Sequence, residues 1–187
     1  MGFITNAAER MSSLITDLLD YSRVGLGELE REVDMNGVLD EVLFILAARI
    51  AETKAFVEVG PLPSVDGRRD DFVMLFLNLI TNAIKYRQPE VPPWVRVGCV
   101  REGSNLHWTI RDNGIVIEQK QLERIFGVFQ RLHPRSEIDG SGIGLAHCRK
   151  IVEGFGGRIW CESEPELGST FHFVVPGRAP RAGEARE

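Results

Sequence analysis

The chain has 187 residues, enough for one domain with a sizeable core and a short appendage. Its net charge of -5 lacks the clustered Lys and Arg of a broad nucleic-acid surface, so no nucleic acid is expected as a partner. No apolar run approaches the roughly 18 residues of a membrane span, and "MGFITNAAERMSS" lacks the basic start and apolar centre of a secretion signal, so a cytoplasmic chain without membrane contact is expected.

In chain order, Ile4, Ala7, Met11, Leu14, Leu18 and Tyr21 recur at alternating steps of three and four, which predicts a long helix with a coiled-coil-like seam. Ala8, Ile15 and Leu19 widen the stripe, and a polar linker, "GLGELEREVD", follows. One such helix cannot bury its stripe alone and is expected to pack on another helix or on a second copy of itself.

Asp34 and Asn36 are candidate N-caps of a second helix whose apolar face is Val38, Leu39, Val42, Leu43, Ile45 and Leu46. "AFVEVG" reads as a short strand ending in the turn "GPLPS", and a third helix is expected from about 68 to 85 with Phe72, Leu75, Phe76, Leu79 and Ile80 inward. After "RQPEVPP", the stretches "WVRVGCV" and "LHWTIRD" alternate like antiparallel strands joined at "REGSN". A helix over 118–126, a polar stretch, a helix over 143–154 and two strands, "GRIWCESE" and "STFHFVV", complete the pattern. The tail "GRAPRAGEARE" has no core-forming residues and is expected to be disordered. Cys99, Cys148 and Cys161 are odd in number and widely spaced, which argues against a disulfide framework and against zinc spacing.

Four short stretches carry chemistry. "NLITNAIKY" puts Asn78, Asn82 and Lys85 on one helical stripe; an amide oxygen suits a hard cation and an ammonium suits phosphate. "DNG" leaves the carboxylate of Asp112 at a strand end, where it can accept a hydrogen bond from a buried amine; it is also a common turn. "DGSGIGLA" sets Gly140, Gly142 and Gly144 before a helix, where backbone N–H groups can face an anion, yet it fits neither a dinucleotide fingerprint nor a Walker loop. "LGSTF" is a small-residue turn entering the last strand.

The order of these four resembles the catalytic, ATP-binding domain of sensor histidine kinases, within the superfamily that includes gyrase, the Hsp90 chaperones and the MutL repair proteins. "RIFGVFQRLH" and "GSGIGLAHCRKIVEGFGGRIWCESEPELGSTF" look most similar to phytochrome-type kinases, and "AAERMSSLITDLLDYSRV", within residues 3–24, resembles the second helix of the dimerisation hairpin. The resemblance implies an α+β fold: a two-layer sandwich with a mixed sheet covered by helices on one face, preceded by one long helix. Its expected divisions are 1–33 (hairpin helix and linker), 34–176 (ATP-binding domain) and 177–187 (tail).

By the same resemblance ATP and Mg²⁺ are the cofactors. Asn82 would hold Mg²⁺, Asn78 and Lys85 would lie near the triphosphate, and Tyr86 beside the adenine. Asp112 would read the adenine amino group, Gly114 would allow the turn, Phe126 and Phe129 would open a mobile lid, Gly140, Gly142 and Gly144 would let it fold over the phosphates, and Thr170 would border the adenine. Asn78 stands where the hydrolysing members carry a glutamate base, which favours transfer to a protein over hydrolysis. A response regulator is the implied partner, and a homodimer through helix 3–24 is expected.

Two departures stand out. None of His107, His133, His147 and His172 has the context of an acceptor histidine, so the chain reads as starting partway through the hairpin and unable to phosphorylate itself. Val116 stands where the pattern Asp-x-Gly-x-Gly has its second glycine, so impaired nucleotide binding is expected. A non-catalytic signalling and dimerisation module with a degraded nucleotide site is the alternative reading.

Overall fold

The computed structural model describes residues 14–16, 18–19, 21–26, 28–132, 141–165 and 167–177. Strand β1 (Glu30–Asp34) leads into helix α1 (Met35–Ile45) and helix α2 (Ala47–Thr53), followed by β2 (Phe56–Val59), β3 (Ser64–Gly67) and α3 (Arg69–Lys85). Then come the hairpin β4 (Trp94–Glu102) and β5 (Asn105–Asp112), helix α4 (Gly144–Gly154), and the hairpin β6 (Arg158–Glu164) and β7 (Gly168–Pro176). A five-stranded sheet runs β2-β4-β5-β7-β6; β2 is parallel to β4 and every other pair is antiparallel. A mixed sheet with helices on one face is the architecture expected.

The alternation of β5 explains the layering. Leu106, Trp108, Ile110 and Asp112 are buried on one face, and β7 matches them with Ser169, Phe171, Phe173 and Val175. Against that face α3 packs Phe72, Leu75, Phe76, Leu79 and Ile80, the residues its spacing marks as inward, together with Ala83 and Ile84. Phe76 meets Trp108 edge-on at 5.6 Å and Phe173 at 5.8 Å, while Trp108 stacks on Phe173. Asp34 caps α1 by accepting the Asn36 N–H at 3.0 Å. Asn36 itself ties the loop after β2, exchanging hydrogen bonds with both backbone groups of Leu62.

Several expectations are corrected. On α1 the inward residues are Met35, Val38, Leu39 and Val42, with Leu46 just beyond; Ile45 is exposed, because the chain breaks after it into α2, a helix the sequence pattern did not reveal. The linker contributes β1, paired antiparallel with the equally unforeseen β3. Residues 118–126 form two single 3₁₀ turns, Gln119–Gln121 and Arg124–Phe126, instead of a helix; of these nine residues only Leu122, Ile125 and Phe126 are apolar, too few to bury a full helical face. Cys148 and Cys161 are buried and Cys99 is half-buried, all three as free thiols.

The expected long helix falls largely outside the described residues, as does the tail from 178 onward. Where the first segment is described, 14–16, 18–19 and 21–23 are helical. Its end docks on the domain. Lys150 Nζ donates to the Tyr21 carbonyl at 2.5 Å and lies over the Tyr21 ring, the Gly25 N–H donates to the Asp71 carboxylate, and Val24 packs on the core.

Phe76→Ala removes the ring that joins α3 to two core aromatics, and should destabilise the chain by about 4 kcal/mol, read as a lowered urea midpoint.

Candidate functional site

The site is built where the C-terminal half of α3, the end of β5 and the start of α4 converge. β5 ends at Asp112, whose carboxyl is buried at 5% exposure. Its Oδ1 accepts the Gly114 N–H at 2.8 Å, closing an Asx turn, and the carboxylate also accepts the Ser169 backbone N–H. Burial outweighs these two donors and pushes the carboxyl up to about 6.

Neighbouring groups hold the turn in place. Asn113 accepts the Trp94 N–H through Oδ1 at 2.8 Å and donates through Nδ2 to the Pro92 carbonyl, stapling the end of β5 to the start of β4. Ile115 N–H donates to the Tyr86 carbonyl at 2.8 Å, satisfying a group left open at the end of α3. A Cβ on Gly114 would stand 2.6 Å from the Tyr86 oxygen and 2.8 Å from Asp112 Oδ1, so close approach, not a left-handed φ, demands glycine here. Ser163 Oγ accepts the Ile117 N–H and bonds both the Gly168 carbonyl and Ser169 Oγ, which binds this segment to the last hairpin.

The result is a cavity of about 250 Å³. Asn78, Thr81, Asn82, Lys85 and Tyr86 line it from α3; Asp112 and Ser169 from the strands; Gln130, Arg131, Ser141, Gly142 and Gly144 from the approach to α4. Ile115, Val116, Ile117, Ile125, Leu132, Leu145 and Phe171 supply apolar wall. One end is therefore amide, ammonium and backbone N–H, and the other is apolar around one carboxyl. Such a division suits an anion joined to a flat, hydrogen-bonding ring.

Asn78 donates Nδ2 to the Met74 carbonyl at 2.9 Å, and a Cβ on Gly144 would stand 2.5 Å from its Oδ1. The first turn of α4 thus sits directly on α3. The Asn82 amide, half-buried in the cavity wall, makes no hydrogen bond to another described residue. No group of three His, Cys, Asp or Glu suited to a metal occurs among the described residues; a cation here would rest on the Asn82 oxygen, the ligand's own oxygens and water, the manner in which Mg²⁺ is usually held.

Of the residues singled out in the sequence, Asn78, Asn82, Lys85, Tyr86, Asp112, Gly142 and Gly144 line this one cavity, and Gly114 shapes its floor. Gly140 and His133 lie outside the described residues. Thr170 does not face the cavity: it pairs with Arg111 and Glu162 on the opposite face, and its neighbours Ser169 and Phe171 take the place assigned to it, because side chains alternate along β7. Phe126 is buried against Phe171 beneath Arg149, and the 3₁₀ turn presents Ile125 to the cavity instead. Phe129 is exposed, with φ at 61°. Strand parity alone would have found Ser169; Thr81, Gln130 and Leu145 carry no motif.

Val116 lines the cavity with φ outside the left-handed region. The turn therefore accommodates its branched side chain without backbone strain, and what Val116 alters is the cavity wall.

Residues 67–179 match the model of the histidine kinase-, DNA gyrase B- and HSP90-like ATPases. The chain belongs to that ATPase family. Within it, the chain is 43% identical over 178 residues to cyanobacterial phytochrome A of Nostoc sp. strain PCC 7120, covering 93% of this chain but 23% of that protein. The mycobacterial sensor histidine kinase MprB is 28% identical with a TM-score of 0.69, over 81% of this chain and 100% of that one. Full-length ShkA, solved in complex with AMPPNP, shares the fold at 24% identity and a TM-score of 0.76, over 92% of this chain and 37% of that one. The chain thus spans about a quarter of the length of its phytochrome relative, and the family's sandwich accounts for the observed sheet and its single helical face.

Asp112 has a testable sign. A carboxyl raised above 3.8 in the folded state costs stability once it ionises, so the contribution is present below 3.8 and lost as pH rises through about 6. Asp112→Asn keeps the acceptor for Gly114 and should raise apo stability at pH 7.5 by on the order of 2 kcal/mol, with no gain at pH 4, in paired thermal unfolding curves.

Proposed function

We propose that this chain is the ATP-binding catalytic region of a two-component sensor histidine kinase, and that the intact protein transfers the γ-phosphoryl group of ATP to a histidine on a dimerisation helix. The observation that carries the reading is the convergence of Asn78, Asn82, Lys85 and Asp112 on one cavity whose far wall is the glycine-led start of α4. Among the described histidines, His107 and His172 lie on the opposite face of the sheet and His147 packs against Tyr21. None faces the cavity, which supports an acceptor other than these.

In this reading Asp112 accepts from the adenine amino group, while Ile115, Ile117 and Phe171 enclose the ring. Lys85 neutralises phosphate charge, and Asn78 helps orient the phosphates. Mg²⁺ would be held by Asn82, where it neutralises phosphate charge. Phosphoryl transfer needs positioning and charge compensation more than covalent chemistry, and the site supplies both. Asn78 offers no base to activate water, in keeping with transfer over hydrolysis. A response regulator receives the phosphoryl group in turn, and the helix over 3–24 makes the kinase a homodimer. The phytochrome relative favours light as the signal.

The alternative, a non-catalytic scaffold, rests on Val116 narrowing the cavity. Calorimetry of Mg-ATP decides between them. We expect saturable binding that Asp112→Asn weakens at least about tenfold, since a hydrogen bond to a charged group contributes about 1.5–3 kcal/mol. Affinity should also fall as pH drops below about 6, where Asp112 takes up a proton. Val116→Gly should tighten binding several-fold; equal affinities would dismiss any impairment, and absence of binding by both chains would favour the scaffold. Incubation with γ-labelled ATP should leave this chain unlabelled.

A further inference from the structure

The face of the sheet turned away from the helices carries a cluster that the cavity does not use. His107 on β5 and His172 on β7 meet there, with His107 Nε2 3.0 Å from His172 Nδ1. Their ring centroids are 5.3 Å apart, so both nitrogens lie near the line joining the rings and approach head-on. That is the geometry of one shared hydrogen bond; a metal ion on the same line would hold the nitrogens about 4 Å apart.

Each ring has a carboxylate behind it. Glu102 Oε1, at the end of β4, lies 2.8 Å from His107 Nδ1, and Glu162 Oε2, on β6, lies 3.7 Å from His172 Nε2. Trp160 stacks on His172 at 5.0 Å and donates to the other oxygen of Glu162, and the Arg158 guanidinium lies over Trp160. Arg96 and Arg111 stand further along the same face, with Arg96 paired to Glu58.

These contacts fix where protons sit. An ionised Glu102 requires His107 to donate from Nδ1, so a neutral His107 accepts at Nε2 and His172 donates from Nδ1. His172 Nε2 is then left bare, and it is indeed buried without a hydrogen-bond partner. One proton from solvent, added to that nitrogen, keeps the bond between the rings and gives Glu162 a donor. A second proton would set two N–H groups against each other at 3.0 Å and break the bond.

We propose that His107 and His172 form a one-proton switch on the open face of the sheet. It takes up a single proton with the inter-ring bond intact, drawing His172 toward Glu162, and resists the second. Burial holds His172 below the ordinary histidine range, in the same direction. The site senses acidity independently of the nucleotide cavity on the other face.

Ring-nitrogen NMR of the whole chain from pH 8 to 4.5 tests it. Expected is a coupled pair: one proton is bound in the first step, seen as protonation of His172 Nε2, and the second is bound at least tenfold more weakly. His172→Gln should abolish the coupled two-step uptake. As pH falls through the ordinary value of 6.5, folded His172 takes up its proton later than the unfolded chain does, so with each unit of acidification the folded-to-unfolded ratio should drop up to tenfold more in the parent than in the double variant H107Q/H172Q. Two independent titrations at ordinary values, unchanged when the other histidine is replaced, would overturn the proposal.

Discussion

A single buried carboxyl organises this domain. Asp112 sits at the last position of β5, where the sheet ends beneath the C-terminus of α3, and it is out of water with only two backbone N–H donors. Burying a charge so sparsely paired is unfavourable, and its upward shift to about 6 records that cost. The surroundings are arranged around it: Gly114 and Gly168 bring backbone close, a Cβ on Gly168 falling 2.1 Å from the Asp112 carbonyl. Asn113 and Ile115 fasten the turn to β4 and α3. A ligand amine aimed at Asp112 would add a third donor and offset part of that cost.

Helix α3 serves two surfaces at once. One stripe, Phe72 to Ile84, carries the core, and the adjacent stripe, Asn78 to Lys85, carries the polar cavity wall. The helical period keeps the centres of these stripes more than a third of a turn apart, so the polar side chains stay at the edge of the core. Helix α4 completes the wall because Gly144 lets its first turn rest on Asn78. The same helix carries His147 and Lys150, which hold Tyr21 at the end of the first segment. The cavity and the entry of the preceding helix therefore share one rigid element.

Legibility followed periodicity. Helix α3 is long and strongly patterned, and its inward residues were read correctly one by one; the hairpin β4–β5 was equally plain because its alternation runs for several residues on both strands. Strands β1 and β3, four or five residues each in turn-like sequence, were missed, since they exist only through pairing with each other across a helix pair. The site divided in the same way. Residues on α3 and at the glycine-rich start of α4 were placed by spacing, whereas Thr170 was misplaced by one position, which in a strand reverses the face. Phe126 looked like a lid residue but is core: the 3₁₀ turn buries both Ile125 and Phe126, and Phe126 lies against Phe171.

By itself, the sequence determined the layers, the helix that bears the amide and lysine stripe, the acid at a strand end and the family to which these belong, because each is written in local periodicity or in contiguous motifs. Only the tertiary structure decided that Thr81, Ile125, Gln130 and Leu145 border the cavity, that Val116 lies in its wall without backbone strain, and that His107 and His172, 65 positions apart, share one hydrogen bond. Those depend on register and packing between distant segments, and no local pattern carries that information.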